Sequence, residues 1–197
     1  MITRNQALGL IREHVKQENI VKHMIAVESL MAGVYDELKK RGKNDAELAG
    51  TKDEWAMAGL LHDGDYCEGV PDNQQGIQII AWAKEKGYEI PDNVAHATAA
   101  HNWSNTGVKP ESLMDWTIFC GDSLTGLIVA SALVLPSKSL ADVTVQTVLK
   151  RFKEKSFARG TRREEIAMCA EHIGLTLEEL VSISLTSMQE HHEEIGL

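Results

Sequence analysis

The stretch HMIAVESLMAGVYDEL, residues 23–38, indicates the fold class more clearly than any other part of the chain. Apolar residues recur in it at spacings of three and four, which is the spacing of one face of an α-helix. That face carries His23, Val27, Leu30, Met31, Val34 and Leu38. We therefore predict an amphipathic helix over residues 19–41, with one histidine on its buried side.

Signals for helix starts and stops are frequent in the rest of the chain. In each of four Ser/Thr-x-x-Glu/Gln patterns, a hydroxyl and a longer side chain can cap a helix start reciprocally. The pairs are Thr3/Gln6, Thr51/Glu54, Thr161/Glu164 and Thr176/Glu179, and Gly42, Gly87, Gly160 and Gly174 stand where preceding helices should end. We predict helices over 3–17, 19–41, 52–63, 73–86, 92–103, 112–134, 140–155, 162–172 and 177–194.

Residues 143–148 alternate like a strand, but a lone strand without a partner is unstable, so we assign them to a helix. The predicted fold is all-α. We expect one domain over 1–197, with helices of about 140–195 packed on a core of about 19–134.

Composition excludes several classes of protein. The chain has 197 residues, of which 43% are hydrophobic and 25% charged, which is typical of a globular domain and not of a disordered one. With 20 basic and 29 acidic residues it carries a formal charge of −9, which disfavours general binding to nucleic acids or membranes. The longest apolar stretch, 126–135, is half the length of about 20 residues that a membrane span needs.

The cysteines and the first residues point to one compartment. Cys67, Cys120 and Cys169 are odd in number and far apart, which indicates reduced thiols. Arg12 and Glu13 interrupt any uncharged leader-like segment near Met1. We expect a cytoplasmic protein.

Asp63 is the first of two acidic residues that lie in strongly apolar parts of the sequence. His62 and Asp63 follow Leu60 and Leu61 at the end of a predicted helix. A carboxylate buried there without a partner would be very costly, so a metal, an arginine or backbone groups must compensate it. A cation seated over the edge between the two side chains could accept both.

Asp122 lies in the middle of the most apolar predicted helix, between Gly121 and Gly126. Glycine costs about 1 kcal/mol relative to alanine inside a helix. Small residues at these positions favour close approach of another helix or of a ligand.

The ordered set His23, His62-Asp63 and Asp122 resembles the H…HD…D signature of the HD-domain superfamily of metal-dependent phosphohydrolases. Six blocks are similar, in order, to the HDIG-related hydrolase family, a group of single-domain bacterial and archaeal proteins. They are residues 23–31, 60–66, 100–102, 121–128, 135–138 and 155–160. The resemblance extends over nearly the whole chain and implies an HD-domain helical bundle.

The resemblance also implies a metal site. His23, His62, Asp63 and Asp122 would hold one divalent metal, and mixed nitrogen and oxygen ligands suit Mn, Fe, Co, Ni or Zn better than Ca. Asp63 and His101 would be the catalytic residues, with His101 a possible ligand of a second metal. The family pattern has a histidine where this chain has Gln75, a poorer ligand, so we expect one tightly bound metal. Where the family has a lysine, this chain has Asp65, which we expect to add negative charge to the pocket. If a second metal is tightly bound, Asp65 and Glu68 are the nearest alternative ligands.

The implied activity is hydrolysis of a small phosphate ester, with a nucleotide as the expected substrate and mono- or diesterase activity left open. Lys138, Asn102 and Arg159 are candidate contacts for substrate or its phosphate. Lys155, Arg162 and Arg163 are further candidates, although most of this basic run is expected to be a solvated face. Two alternatives remain at this stage: a di-iron oxygenase, which needs both metals, and a silent nucleotide-binding sensor domain.

Overall fold

The computed structural model describes all residues 1–197, and they form α-helices joined by turns and two short 3-10 segments, with no strand. The helices are α1 (Arg4–His14), α2 (Glu18–Lys40), α3 (Asp45–Leu48), α4 (Lys52–Leu61), α5 (Gln78–Glu85), α6 (Asp92–Ala100), α7 (Trp103–Thr106), α8 (Leu113–Leu133), α9 (Val145–Lys153), α10 (Arg163–Ala167), α11 (Cys169–His172), α12 (Leu177–Glu190) and α13 (His192–Ile195). The predicted all-α fold class is confirmed.

Helix α2 lies at the centre of the bundle. It packs against α4, α8 and α12, while α6 packs against α4 and α8. The apolar stripe predicted from the sequence faces inward, since Val27, Leu30, Met31 and Val34 are completely buried. One continuous cluster of 47 buried apolar residues runs from Ile2 to Ile195 and includes side chains from α9 to α13.

Gly59 allows α4 to approach α2 closely. A β-carbon at this position would lie 2.8 Å from the backbone nitrogen of Glu28 and from the carbonyl oxygen of Val27. Any larger residue would force the helices apart. Because α4 ends at Leu61, the next residue, His62, lies beside His23 of α2.

Helix α8 crosses the interior of the bundle. It is the one helix long and apolar enough to span a membrane, and 72% of its apolar stretch is buried within the protein. Its apolar character therefore serves the core. Asp122 lies near its midpoint.

The predicted helix starts are mostly right. Reciprocal caps form at Thr3/Gln6, Thr51/Glu54 and Thr176/Glu179. The Thr161/Glu164 cap is wrong, because α10 begins one residue later and the residue that precedes it is Arg162. That shift leaves Glu164 one position too early in the helix to complete the pair.

The predicted helix over 73–86 is interrupted. Gly76 has φ of 82°, a left-handed conformation that ends a short 3-10 turn before α5 begins. The carboxylate of Asp65 accepts the backbone N–H groups of Gly76 and Ile79 at 2.9 Å, which holds this bend. The interruption therefore has a long-range cause that a local pattern does not contain.

The three predicted helices nearest the C-terminus also differ from the structure. Residues 143–148 are helical as assigned, but α9 starts only after Thr144, whose hydroxyl accepts the N–H of Thr147. Because α9 ends at Lys153, Gly160 does not terminate it, and residues 154–162 form an irregular segment. The helices predicted over 162–172 and 177–194 are each divided, at Met168 and at His191.

Candidate metal centre

Four side chains from distant parts of the chain meet beside α2. His23 Nε2 lies 3.2 Å from His62 Nε2, 2.9 Å from Asp122 Oδ1 and 3.7 Å from Asp63 Oδ2. His62 Nε2 lies 3.5 Å from Asp63 Oδ2 and 3.8 Å from Asp122 Oδ1. The four residues predicted as metal ligands are thus adjacent, and ligand atoms of His23, His62 and Asp63 fall within 4.8 Å of one another.

The histidine rings are held from behind through their Nδ1 atoms. Nδ1 of His62 lies 2.8 Å from the carbonyl oxygen of Gly59, and Nδ1 of His101 lies against that of Thr98. Thr125 donates its hydroxyl hydrogen to the carbonyl of Asp122, so its oxygen accepts from His23 Nδ1 at 3.2 Å. These contacts leave the Nε2 atom of each ring directed at the centre, as in metal-binding histidines.

This arrangement favours a proton or a metal between the two rings. Two unprotonated Nε2 atoms 3.2 Å apart, beside two carboxylates, repel one another unless a proton or a metal lies between them. Burial favours the neutral ring of His62 and lowers its pKa to about 4. Burial acts the same way on His23, but the hydrogen bond to Asp122 outweighs it and raises the pKa of His23.

Both carboxylates are ionised in these surroundings. Burial favours the neutral acid of Asp63, yet the charge of His62 and the hydrogen bond from His101 lower its pKa to about 2. Burial likewise opposes ionisation of Asp122, and the hydrogen bond from His23 holds the pKa of Asp122 far below its usual value. Two carboxylates beside three imidazoles form a mixed oxygen and nitrogen set, which is suited to a divalent transition metal.

Asp63 presents its two oxygens to different partners. Oδ2 faces His23 and His62, while Oδ1 lies 3.5 Å from His101 Nε2. His101 is nearly buried, with 4% of its side chain exposed. A carboxylate placed in this way can contact one metal and a second group at once.

Gln75 and Asn102, candidates for a second metal and for the substrate, form hydrogen bonds within a neighbouring turn. The side-chain amide of Gln75 pairs at 3.5 Å with Asp72 and Asn102, and no hydrogen bond joins it to His101 or Asp63. Asn102 donates to the carbonyl of Asp72 at 3.0 Å and accepts from Asn105 at 2.8 Å. Its amide thus supports the turn that carries Gln75.

Asp65 was expected to add charge to the pocket, and this is wrong. Its side chain is completely buried, and its carboxylate accepts the N–H groups of Gly76 and Ile79. Burial raises the pKa of Asp65. Its oxygens are directed at the backbone of the neighbouring bend, which leaves the charge of the centre to Asp63 and Asp122.

Arg162 contributes a contact that the sequence did not suggest. Its Nη2 lies 2.6 Å from Asp122 Oδ2, and its Nε lies 2.8 Å from Glu165 Oε2. The guanidinium therefore occupies one oxygen of Asp122 and leaves Oδ1 to His23. The sequence around Arg162 contains no signal for its pairing with Asp122. The contact of Thr125 with the carbonyl of Asp122 could have been predicted, because residues three apart are neighbours on a helix.

The candidate substrate residues are separated in space. Arg159 lines a cavity that also contains His23 and Asp122. Lys138 lies in the turn after α8, exposed and outside the lining of that cavity. About 16 Å of helix axis separate Asp122 from the end of α8.

The other five histidines lie outside the centre. His96 pairs with Asp115 at 3.0 Å, on a different face of its helix from His101, because the two are five positions apart. His14 and His172 stack on Trp82 and Trp116, and His191 and His192 are exposed.

Comparison with protein-family models, curated proteins and solved structures gives no match to this chain. The resemblance to the HD-domain superfamily therefore rests on the sequence blocks quoted above. The geometry of the centre is an independent observation, since it depends on contacts between residues up to 99 positions apart, from His23 to Asp122.

Proposed function

We propose that this protein is a metal-dependent phosphohydrolase that acts on a small phosphate ester. One observation carries the proposal. Residues chosen from their order in the sequence, His23, His62, Asp63 and Asp122, converge in the fold with contacts of 2.9 to 3.8 Å. Each of them is a good ligand type for a divalent metal.

The residues present fit such a metal. The centre offers two imidazole nitrogens with their lone pairs directed inward and two ionised carboxylates, a mixed set that favours Mn, Fe, Co, Ni or Zn. His23 Nε2 and His62 Nε2 lie 3.2 Å apart, so a metal could take the place of the proton between them. When bound, a metal of this kind lowers the pKa of water towards 7 and neutralises charge on a phosphoryl oxygen.

The protein residues have distinct roles in this proposal. Asp122 is oriented by Arg162, which occupies its other oxygen. Asp63 lies between the metal-ligand side of the centre and His101, so it can orient a nucleophilic water molecule. His101 is tied by Nδ1 to Thr98, which leaves Nε2 as the atom that accepts or donates a proton.

The phosphohydrolase is favoured over a di-iron oxygenase because the second ligand set is incomplete. Only His101 and the shared Asp63 face that side, and the amide of Gln75 pairs with Asp72 and Asn102. A neutral amide also binds late first-row metals less well than imidazole. We therefore propose one tightly held metal for each chain.

Elemental analysis of protein purified without chelator tests the metal. Alanine variants of His23, His62, Asp63 and Asp122 should each lose it, and His96→Ala is the matched control from outside the centre. Retention of wild-type metal content by three of the four variants would show that the site is wrong.

A panel of phosphate esters, assayed with metal-loaded protein, tests the reaction. We expect turnover of at least one small ester that is lost in Asp63→Asn. A metal-loaded protein that binds but never hydrolyses any ester would instead be a sensor domain.

A further inference from the structure

A cavity of about 290 Å³ adjoins the candidate metal centre. One wall consists of His23 from α2 together with Asp122, Ser123 and Gly126 from α8. The opposite wall is formed by residues 158–161 of the irregular segment after α9. Any ligand in this space would lie against two of the candidate metal ligands.

The two glycines of α8 differ in what surrounds them. At Gly121, a β-carbon would lie 2.6 Å from Leu30 Cδ2, so packing against α2 explains that glycine. At Gly126, a β-carbon would meet no heavy atom within 4 Å, and the residue is exposed in the helix interior. Neither packing nor backbone conformation requires glycine at position 126, where alanine would be the better helix former. The absence of a side chain at Gly126 leaves the cavity open.

The arginines of the opposite wall are not equivalent. Arg163 donates to the carbonyl oxygens of Phe152 and Phe157 at 2.7 Å, which ties the irregular segment to the end of α9. Arg162 is paired with Asp122 and Glu165. Arg159, by contrast, lines the cavity and has no hydrogen bond or ion pair within the protein. It is the free positive charge of this wall.

We propose that this cavity is the substrate-binding subsite, that it takes a small phosphate monoester, and that Gly126 sets how closely the ligand approaches Asp122. Arg159 supplies the charge that attracts the phosphate, from a segment held in place by Arg163. The volume lies just below the roughly 300–1,000 Å³ found for small-molecule pockets, which favours a monoester over an oligonucleotide. The reaction at this subsite rests on the proposed phosphohydrolase, but ligand binding does not require turnover.

Calorimetric titration of metal-loaded protein with inorganic phosphate tests the subsite directly. Gly126→Leu places a side chain in the cavity from a position where a β-carbon meets no heavy atom within 4 Å, and we expect it to weaken phosphate binding at least tenfold. Gly9→Leu is the matched control, because Gly9 is also an exposed glycine inside a helix with nothing within 4 Å. Both variants should keep or raise the wild-type Tm, and the smaller Gly126→Ala should show a weaker loss of binding.

Arg159→Gln should also weaken phosphate binding about tenfold, while Lys153→Gln, which removes a charge from the exposed end of α9, should not. Wild-type affinity in a folded Gly126→Leu variant would overturn the proposal, as would a wild-type protein that binds no phosphate. The protein could also bind phosphate, lose that binding in Gly126→Leu, and hydrolyse no ester such as p-nitrophenyl phosphate. That result would support the subsite and overturn the proposed phosphohydrolase activity.

Discussion

Two buried aspartates of α8, Asp115 and Asp122, each pair with a histidine, and they do so for different reasons. Asp115 lies 3.0 Å from His96, but its carboxylate also accepts the backbone N–H groups of Glu111 and Ser112 at the start of the helix. Asp122 lies 2.9 Å from His23, accepts no backbone N–H, and has only His23, His62 and Arg162 as partners.

The difference shows how to distinguish a structural aspartate from a ligand. Backbone N–H groups at a helix start compensate a carboxylate without any other cation. In the middle of a helix those groups are used by the helix itself, so a buried carboxylate there depends on side chains or on a metal. Asp122 is therefore the aspartate whose surroundings indicate chemistry.

The largest expected effect is on bound metal. Asp122→Ala should reduce metal content to background, whereas Asp115→Ala should leave it unchanged and lower the free energy of unfolding by about 1–2 kcal/mol through loss of the helix cap. Elemental analysis and chemical denaturation measure the two quantities. Equal metal content in both variants would remove the distinction between the two aspartates.

Asp63→Asn should damage activity far more than stability. Asparagine keeps the shape of the side chain but removes the charge that a metal and a nucleophilic water require. We expect at least a hundredfold fall in kcat with little change in Tm, measured on any ester that the wild type hydrolyses. An unchanged rate would show that Asp63 has no catalytic role.

Metal affinity should fall as the pH is lowered. The pKa of His23 is raised by Asp122, so protons compete with metal for His23 from neutral pH downward, while His62, with a pKa of about 4, remains neutral until much lower pH. Metal binding near pH 6 should release a proton, which titrations in buffers of different ionisation enthalpy detect. The same affinity at pH 6 and pH 8 would contradict the assignment of His23 as a ligand.

The smallest expected effect concerns a second metal. The wild type should hold one tight metal for each chain, and Gln75→His should raise occupancy of a second site only at high free metal, because the turn at Gln75 is held by Asp72 and Asn102. If hydrolysis uses one metal, stoichiometry should rise while the rate stays constant. Two tight metals in the wild type would show that another residue completes the second site.

Local patterns were sufficient for most of the helices and for the candidate ligands. The apolar stripe of α2 and three of the four predicted caps depend on neighbouring residues alone, and they are correct. The ligand candidates could be chosen because a histidine or an aspartate in an apolar run needs a partner wherever that partner lies in the chain.

Errors arose where a distant residue determined the local conformation. The bend at Gly76 is held by Asp65, eleven positions away, and the start of α10 coincides with the pairing of Arg162 with Asp122, forty positions away. The expectation that Asp65 lies in the pocket failed for the same reason. Its hydrogen bonds to Gly76 and Ile79 form only in the folded chain, and no adjacent residue signals them.

The sequence by itself determined an all-α fold and the buried face of α2, because helical periodicity is a local property. The cost of burying charge singled out Asp63, and the set His23, His62, Asp63 and Asp122 was predicted from the resemblance in their order along the chain. Only the tertiary structure decided that Arg162 occupies Asp122, that the amide of Gln75 pairs with Asp72 and Asn102, and that Gly121 receives Leu30 while Gly126 opens on a cavity. Both glycines belong to the same helix, and the space around each depends on which part of the protein packs against that side of α8.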